Sequence, residues 1–229
     1  MRKVGTVRSL LTGKVSSITE GVNSGIDKHP VDTRHWVNLL GLVGDEQADK
    51  RYHGGVEKAL HAYASEHYDR WIAKLGDTPM FHRVGAFGEN LSTQGLDENS
   101  VCLGDVYQIG ECLVQVSQGR MPCWKLNIRF GRPDMSLLLQ ETLWTGWYFR
   151  ILREGNIGAR DDIYLCERPF PEWPLSRVTG LIFTGCLEQE KLKLLLNAPL
   201  VDSWRKLVER RLSTGKLEDW SYRLYGEPR

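Results

Sequence analysis

Three short stretches of the chain concentrate the side chains that could do chemistry. The first contains His53, Gly54, Gly55 and Lys58. Paired glycines let backbone N–H groups approach a ligand closely, and a lysine three residues later could neutralise an anion held there. The spacing is neither a Walker loop nor a dinucleotide-binding fingerprint. A Gly-Gly turn beside a solvated lysine and a core histidine is therefore the competing interpretation.

The second stretch is centred on Glu89 and Asn90, which follow Gly88. A carboxylate and an amide beside a glycine could be presented to a polar ligand, or could satisfy their own backbone in a turn. Taken alone, this stretch favours the turn. Upstream, Asp45 and Asp49 are expected to cap turns or to pair with neighbouring basic residues rather than to act as paired catalytic carboxylates.

The third stretch ends a predicted strand in a polar loop that carries Ser117, Arg120 and Cys123. An arginine can bind a phosphate through two N–H groups, and a nearby cation favours the thiolate form of a cysteine, which attacks carbonyls or ligates metals. A lone cysteine is more often a small buried hydrophobic residue, so an inert Cys123 stays open. Trp124, next to it, is a candidate for the wall of a substrate pocket.

The elements that would position these stretches are mostly short strands. Residues 1 to about 168 alternate strand-like runs with Gly, Asn and Asp, as in a barrel or sandwich. We predict strands at 4–10 and 147–152, and a hairpin of 101–109 with 112–117. A turn is predicted at 154–156.

Two short helices interrupt these strands. One spans 66–75, with Ser65 as N-cap and Gly76 at its end, and the other begins at Pro133. This order lacks the regular alternation of a parallel α/β sheet, so the prediction is a mainly β (α+β) fold with an antiparallel barrel and helical insertions.

The composition changes after residue 168. Residues 169–175 contain three prolines within six positions and predict a stiff linker between a barrel domain at 1–168 and a helical domain at 176–229. Three helices are expected in that last part, the third over 201–212. Its apolar face would either dock a partner or a second copy, giving a homodimer, or pack onto the barrel.

Composition excludes several classes of function. The net charge is +1, so there is no overall positive field to attract nucleic acid or anionic membranes. No apolar run approaches the roughly 18 to 20 residues that span a bilayer, and the polar start predicts a cytoplasmic protein without a signal peptide. The five cysteines are an odd number and none are spaced Cys-x-x-Cys, which argues against disulfides, zinc ribbons and iron–sulfur clusters.

Together the three stretches resemble the signatures of the MOSC domain, named from the C-terminal domain of molybdenum-cofactor sulfurases. The residues that carry the resemblance, in order, are Gly44, Asp45, Asp49, His53, Gly54, Gly55, Lys58 and Ala59, then Phe87 to Leu91, then Gln118, Arg120, Pro122 and Cys123. With the helical tail, nearly the whole chain resembles bacterial MOSC proteins linked to resistance against 6-N-hydroxylaminopurine. Two positions depart from many relatives, which have proline at position 119 and histidine at position 52, where this chain has Gly119 and Tyr52.

The resemblance implies a distorted β-barrel that binds the molybdenum cofactor, with the Cys123 thiolate as metal ligand and catalytic residue. A thiolate suits a metal already held by the dithiolene sulfurs of the pterin. By the same resemblance, the pocket for the pterin and its phosphate is formed by His53, Gly54, Gly55, Lys58, Asn90, Ser117 and Arg120. Within it, we expect Lys58 and Arg120 to face the phosphate and Asn90 to hydrogen-bond the pterin.

The activity implied is reduction of an N-hydroxylated base or a similar small molecule. The chain shows no nucleotide, haem or cluster motif, so a separate electron-donating reductase, a flavoprotein, is expected as partner. Two alternatives remain: a carrier that hands over the cofactor without turnover, and a metal-free cysteine hydrolase or transferase that uses Cys123 with His53 as base.

Overall fold

A closed barrel of seven strands forms the centre of the computed structural model, which describes residues 1–49 and 54–226. The described strands are β1 (Arg2–Thr12), β2 (Ser16–Thr19), β3 (Val22–Ser24), β4 (His29–Pro30), β5 (His35–Asn38), β6 (Gly41–Leu42), β7 (Leu60–Ala64), β8 (Leu91–Gln94), β9 (Val106–Ile109), β10 (Cys112–Gly119), β11 (Trp147–Arg153), β12 (Gly155–Ile157) and β13 (Asp162–Glu167). The described helices are α1 (Glu66–Leu75), α2 (Lys125–Phe130), α3 (Met135–Thr142), α4 (Leu175–Phe183), α5 (Gln189–Leu195), α6 (Asp202–Thr214) and α7 (Ser221–Tyr225). The mainly β barrel with helical insertions and a helical tail is confirmed.

The barrel closes because β1 is long enough to pair with two different strands. Around it the strands follow the order β13-β9-β10-β11-β7-β8-β1, and β1 pairs with β13 through its first half and with β8 through its second half. The pairs are antiparallel except β7–β8, which is parallel. Parallel neighbours need a crossover, and α1 supplies it between these two strands. The expected all-antiparallel arrangement therefore has one exception.

Local signals located some elements and missed others. Helix α1 has the predicted bounds and ends at Gly76, which has φ 88° and whose N–H donates to Ile72 O at 2.9 Å. The Ser65 hydroxyl, predicted to cap α1, makes no capping bond and lies 3.3 Å from the Glu66 carboxylate. The turn predicted at 154–156 was wrong, because Gly155 and Asn156 belong to β12, which pairs with the distant β5.

The helical tail packs onto the barrel through its apolar face. Trp204 and Val208 of α6 are buried in the same hydrophobic cluster as the barrel strands, together with Val178 and Ile182 of α4. The contact is close at the end of β10, where a Cβ on Gly119 would lie 2.6 Å from the Thr179 Cγ2 atom. Of the two interpretations of the stripe, packing on the barrel is the one observed.

The proline-rich segment between barrel and tail is itself packed. Trp173 is only 1% exposed, and Pro174 forms an isolated β-bridge with Cys102.

Among the described residues, no helix combines the length and apolar character that crossing a bilayer requires.

Candidate functional site

Four of the residues predicted to form a site line one cavity at an end of the barrel: Lys58, Asn90, Arg120 and Cys123. Each comes from a different piece of chain. Lys58 ends a single 3-10 turn before β7, Asn90 precedes β8, Arg120 follows β10, and Cys123 precedes α2. The barrel pairings thus bring together groups up to 65 residues apart in sequence, since 123 − 58 = 65.

Arg120 is the buried cation of this cavity. The residue is 6% exposed, its backbone N–H donates to Gly146 O at 3.0 Å, and its buried Nη1 atom has no hydrogen-bond partner among the described residues. Leaving a buried donor unpaired costs free energy. An unpaired guanidinium nitrogen beside a cavity is therefore well suited to an anion that comes from outside the chain.

Cys123 is half-buried and starts the turn that leads into α2, where its carbonyl accepts the Leu126 N–H at 3.0 Å. It lies on the cavity wall with Arg120. Trp124 is not among the described lining residues. A Cβ on Gly226 would lie 2.9 Å from its indole ring, so Trp124 packs against the C-terminal segment rather than forming a substrate wall, and that hypothesis was wrong.

Lys58 brings a second positive charge to the cavity. Gly55, with φ 93°, begins its turn, and the Lys58 N–H donates to Gly55 O at 2.9 Å. Burial lowers the pKa of the Lys58 amine, and the positive charge of Arg223 lowers it further. Burial and a neighbouring cation both destabilise the charged form of an amine. An anion bound beside Lys58 would stabilise its charged form.

Gly54 and Gly55 do not line this cavity but an adjoining open groove of about 730 Å³. Glu46 and Gln47 line both concavities. Predicted site residues are therefore divided between two neighbouring spaces. His53, the remaining residue of that motif, lies outside the described residues.

Asn90 connects three parts of the site through its side-chain amide. Its Nδ2 atom donates to Asp45 Oδ2 at 2.9 Å and to Leu11 O at 3.3 Å, while its Oδ1 atom accepts the His61 N–H at 3.2 Å. Asn90 lies on the cavity wall. Its side-chain amide, however, makes hydrogen bonds to Asp45, Leu11 and His61 and so holds these three segments together.

Asp45, expected to cap a turn or pair with neighbouring basic residues, has a buried carboxylate that accepts hydrogen bonds from both near and distant groups. Its carboxylate accepts the Gly13 N–H at 2.8 Å and the Gln47 amide at 3.0 Å, in addition to Asn90. It also forms an ion pair with Lys28, whose side chain is almost fully buried. Burial lowers the pKa of Lys28, and Asp45 opposes that effect.

Ser117 is not among the described residues that line the cavity. It instead stabilises the turn that carries Lys58. Its hydroxyl is buried and lies 2.5 Å from Glu57 O and 3.1 Å from Tyr148 O. Through these two hydrogen bonds, Ser117 of β10 connects the turn that carries Lys58 to β11.

His61 and Tyr148 line the cavity and were not anticipated from the sequence. They are register partners on β7 and β11, with ring centroids 5.1 Å apart. Burial lowers the pKa of His61 to about 3, with a further contribution from the charge of Arg120. Burial raises the pKa of Tyr148. Both side chains are therefore neutral at neutral pH.

Glu89 shapes the loop before Asn90. Its fully buried carboxyl group accepts hydrogen bonds from the Tyr68 hydroxyl at 2.7 Å and the Gly85 N–H at 2.8 Å, and burial raises its pKa. The favoured turn is seen only in part: the Glu89 carboxyl group binds the nearby Gly85 backbone, whereas the Asn90 amide binds groups that are distant in sequence. In the described part of the chain, no three His, Cys, Asp or Glu side chains are grouped as metal ligands would be.

Comparisons with known proteins agree with this architecture. The model of the MOSC domain matches residues 49–164, and the model of the YiiM-like 3-alpha helix domain matches residues 173–215. Protein YiiM of Escherichia coli is 38% identical over 217 residues, which are 94% of this chain and 96% of that protein. The crystal structure of E. coli YiiM has a TM-score of 0.81 at 32% identity and covers 99% of this chain and 100% of that one. A Gibberella moniliformis protein named "Reductase" is 35% identical over 92% of this chain, which corresponds to 38% of its own length.

Proposed function

The chain belongs to the MOSC domain family, and we propose that it is a reductase of N-hydroxylated compounds that depends on the molybdenum cofactor. The observation that carries the proposal is a cavity lined by both Cys123 and Arg120, whose Nη1 atom is buried with no hydrogen-bond partner in the described part of the chain. A thiol can ligate a metal, and a buried cation can bind the phosphate carried by the organic ligand of that metal. The relative named "Reductase" supports an oxidoreductase role at the level of the family.

The residues fit the two ends of the cofactor. Its metal-binding sulfurs and its phosphate belong to the same part of the molecule, and Cys123, Lys58 and Arg120 share the inner cavity. The pterin would extend into the adjoining groove beside Gly54 and Gly55, since Glu46 and Gln47 line both the groove and the cavity. When bound, the cofactor supplies a metal that accepts and passes on two electrons.

The reaction converts N–OH to N–H and water, and it consumes two electrons and two protons. The electrons come from a separate flavoprotein reductase, and the substrate is an N-hydroxylated base or a similar small molecule. The protein orients the substrate, limits its contact with water and holds the cofactor. We further propose that these events take place in the cytoplasm.

The decisive experiment is to purify the protein from a host that makes the cofactor, measure its molybdenum content, and assay reduction of an N-hydroxylaminopurine with a chemical electron donor. We expect stoichiometric metal and turnover. Metal without turnover would identify a carrier. Absence of both, together with a Cys123 that is rapidly alkylated, would favour the cysteine hydrolase or transferase.

Cys123→Ser tests the ligand assignment directly. We expect it to lose both metal and reduction while its unfolding curve stays close to that of the wild type, because the residue is only half-buried. Cys186→Ser is the matched control: this cysteine is also half-buried but lies in the helical tail. Full activity in Cys123→Ser would end the assignment of this thiolate as metal ligand.

A further inference from the structure

Helix α2 begins two residues after Cys123 and carries Arg129, a buried cation with no role in the proposed reaction. The Arg129 Nε atom donates to Ala86 O at 2.7 Å, and its Nη2 atom donates to Gly85 O at 3.1 Å. Its Nη1 and Nη2 atoms both donate to Asp27 Oδ1 at 3.1 Å. One guanidinium group therefore joins α2 to two other segments of the chain.

Both of these segments contribute to the wall of the inner cavity. We call residues 24–28 the wall segment. The residues of the two segments that line the cavity are Ser24, Gly25, Ile26, Lys28, Phe87 and Gly88. The two segments also pack against each other, since a Cβ on Gly88 would lie 2.8 Å from the Ile26 Cγ1 atom. A second bond from α2 reaches the same region, because Lys125 Nζ donates to Asn23 O at 2.8 Å.

The wall segment is held to α2 chiefly by a buried ion pair. Burial acts to raise the pKa of the Asp27 carboxyl group, but the charges of Arg129, Arg83 and His29 outweigh it and the pKa is lowered. Arg83 also donates to Asp27 Oδ1, at 2.7 Å. The side chain of Arg129 is 7% exposed, whereas that of Arg83 is 40% exposed. Water weakens exposed ion pairs, so Arg129 is the stronger of the two partners.

The position of this wall matters because the cavity is small. Its volume is about 80 Å³, whereas sites for small molecules usually measure roughly 300–1,000 Å³. A ligand of that size can occupy the cavity only after part of the wall has shifted. The bonds between α2 and the wall segment contribute to the free energy of that shift.

We propose that Arg129 is a positioning residue: through Asp27 it holds the wall segment to α2, and it thereby sets the access of small molecules to Cys123. Loss of these bonds should let the wall segment move away from the start of α2. The barrel strands pair with one another without them, so the fold should be kept. The proposal concerns access to the cavity, and it does not require that the ligand be the molybdenum cofactor.

Alkylation of cysteines measures this access in full-length protein made without the cofactor. The rate of reaction with iodoacetamide at Cys123 is divided by the rate at Cys186, a half-buried cysteine of the helical tail. Arg129→Gln should raise this ratio about tenfold, as expected for loss of one hydrogen bond between charged groups. Arg129→Lys keeps the charge but not the paired geometry and should give an intermediate ratio. An equal rise at both cysteines would show a general loss of stability and would overturn the proposal.

Arg132→Gln is the matched control. Arg132 lies just beyond α2 and binds Asp134 through two nitrogen atoms, at 2.8 and 3.0 Å. This pair is exposed, and neither residue is among the described residues that line the cavity. The ratio in Arg132→Gln should stay that of the wild type. Equal ratios in Arg129→Gln and Arg132→Gln would overturn the proposal.

Asp27→Asn decides the question if Arg129→Gln does not fold. It removes the charge of the acceptor and leaves the bonds from Arg129 to the backbone of Gly85 and Ala86 in place. The ratio should rise in this variant as well. A ratio equal to that of the wild type would refute the role of the ion pair.

The molybdenum content of protein from a cofactor-making host separates this proposal from the proposed function. A raised ratio in Arg129→Gln, with a wild type that never contains molybdenum, would support the positioning role and refute the cofactor assignment. Normal molybdenum content in the wild type, with an unchanged ratio in Arg129→Gln, would refute the role of Arg129 and leave the reductase proposal intact.

Discussion

Acidification should destabilise the protein through one histidine at the cavity. Burial lowers the pKa of His61 to about 3 in the folded protein, against 6.5 as the ordinary value. The folded pKa lies below the unfolded one, so the contribution of His61 to stability is complete above the unfolded pKa. It is lost as the pH falls towards the folded pKa, because the unfolded chain then binds a proton that the folded chain does not.

The size of the effect follows from these two values. Below the unfolded pKa, each pH unit costs about 1.4 kcal/mol until the folded pKa is reached. Between about pH 7 and about pH 5, the free energy of unfolding should fall by about 2 kcal/mol through His61 alone. Glu89 acts in the opposite direction, since burial raises its pKa, so the total pH dependence is not a measure of His61.

Urea unfolding of the wild type and of His61→Leu, each at about pH 7 and about pH 5, isolates the contribution of His61 to the free energy of unfolding. Leucine keeps the site apolar and leaves the backbone N–H of residue 61 to donate to Asn90. The wild type should lose about 2 kcal/mol more than His61→Leu over this interval. His29→Gln, at an exposed histidine of β4, should behave as the wild type. Equal losses in wild type and His61→Leu would show that His61 takes up its proton without unfolding, and the reasoning from burial would be refuted.

Two further predictions concern the packing around the site. Gly119→Ala should lower the free energy of unfolding by about 1–3 kcal/mol, because the new Cβ would lie 2.6 Å from the Thr179 Cγ2 atom. Gly180→Ala in α4, where the nearest atom is 3.7 Å away, should be neutral or stabilise by up to about 1 kcal/mol, and a similar loss in both variants would contradict the proposed contact. In a double-mutant cycle, Lys28→Met and Asp45→Asn should show a coupling of about 1.5–3 kcal/mol in urea unfolding, since either change alone leaves a buried charge unpaired. Additive effects would mean that the buried ion pair does not form.

The sequence identified those parts of the fold whose signals are local. Helix α1 is marked by Gly76 at its end, and β10 by alternation of apolar and polar residues before Arg120. The β12 strand was missed because its glycine and asparagine are typical of turns, and its partner β5 is more than 100 residues away. Pairing over such separations has no local signature in a single sequence.

The same limit applies to the site. Lys58, Arg120 and Cys123 were singled out because the three stretches together resemble the MOSC signatures, and all three line one cavity. Lys28 was not found, because a lysine among short polar strands is ordinarily solvated, and only the fold shows that Asp45 is its buried partner. The return of the C-terminal segment to Trp124 was missed for another reason: the whole helical tail separates the two in sequence, and the local sequence gives no sign of the contact.

The helical tail contacts the loop that carries two residues of the candidate site. It touches the chain at both ends of the loop 119–124: Gly119 packs against Thr179 of α4, and Trp124 donates its N–H to Arg223. Arg120 and Cys123 lie between these two contacts, so the tail constrains the spacing of the cation and the thiol. This also explains a glycine at position 119, since a side chain there would push α4 away from β10. Any change that loosens the tail should consequently weaken anion binding at the cavity, even when it alters no residue that lines it.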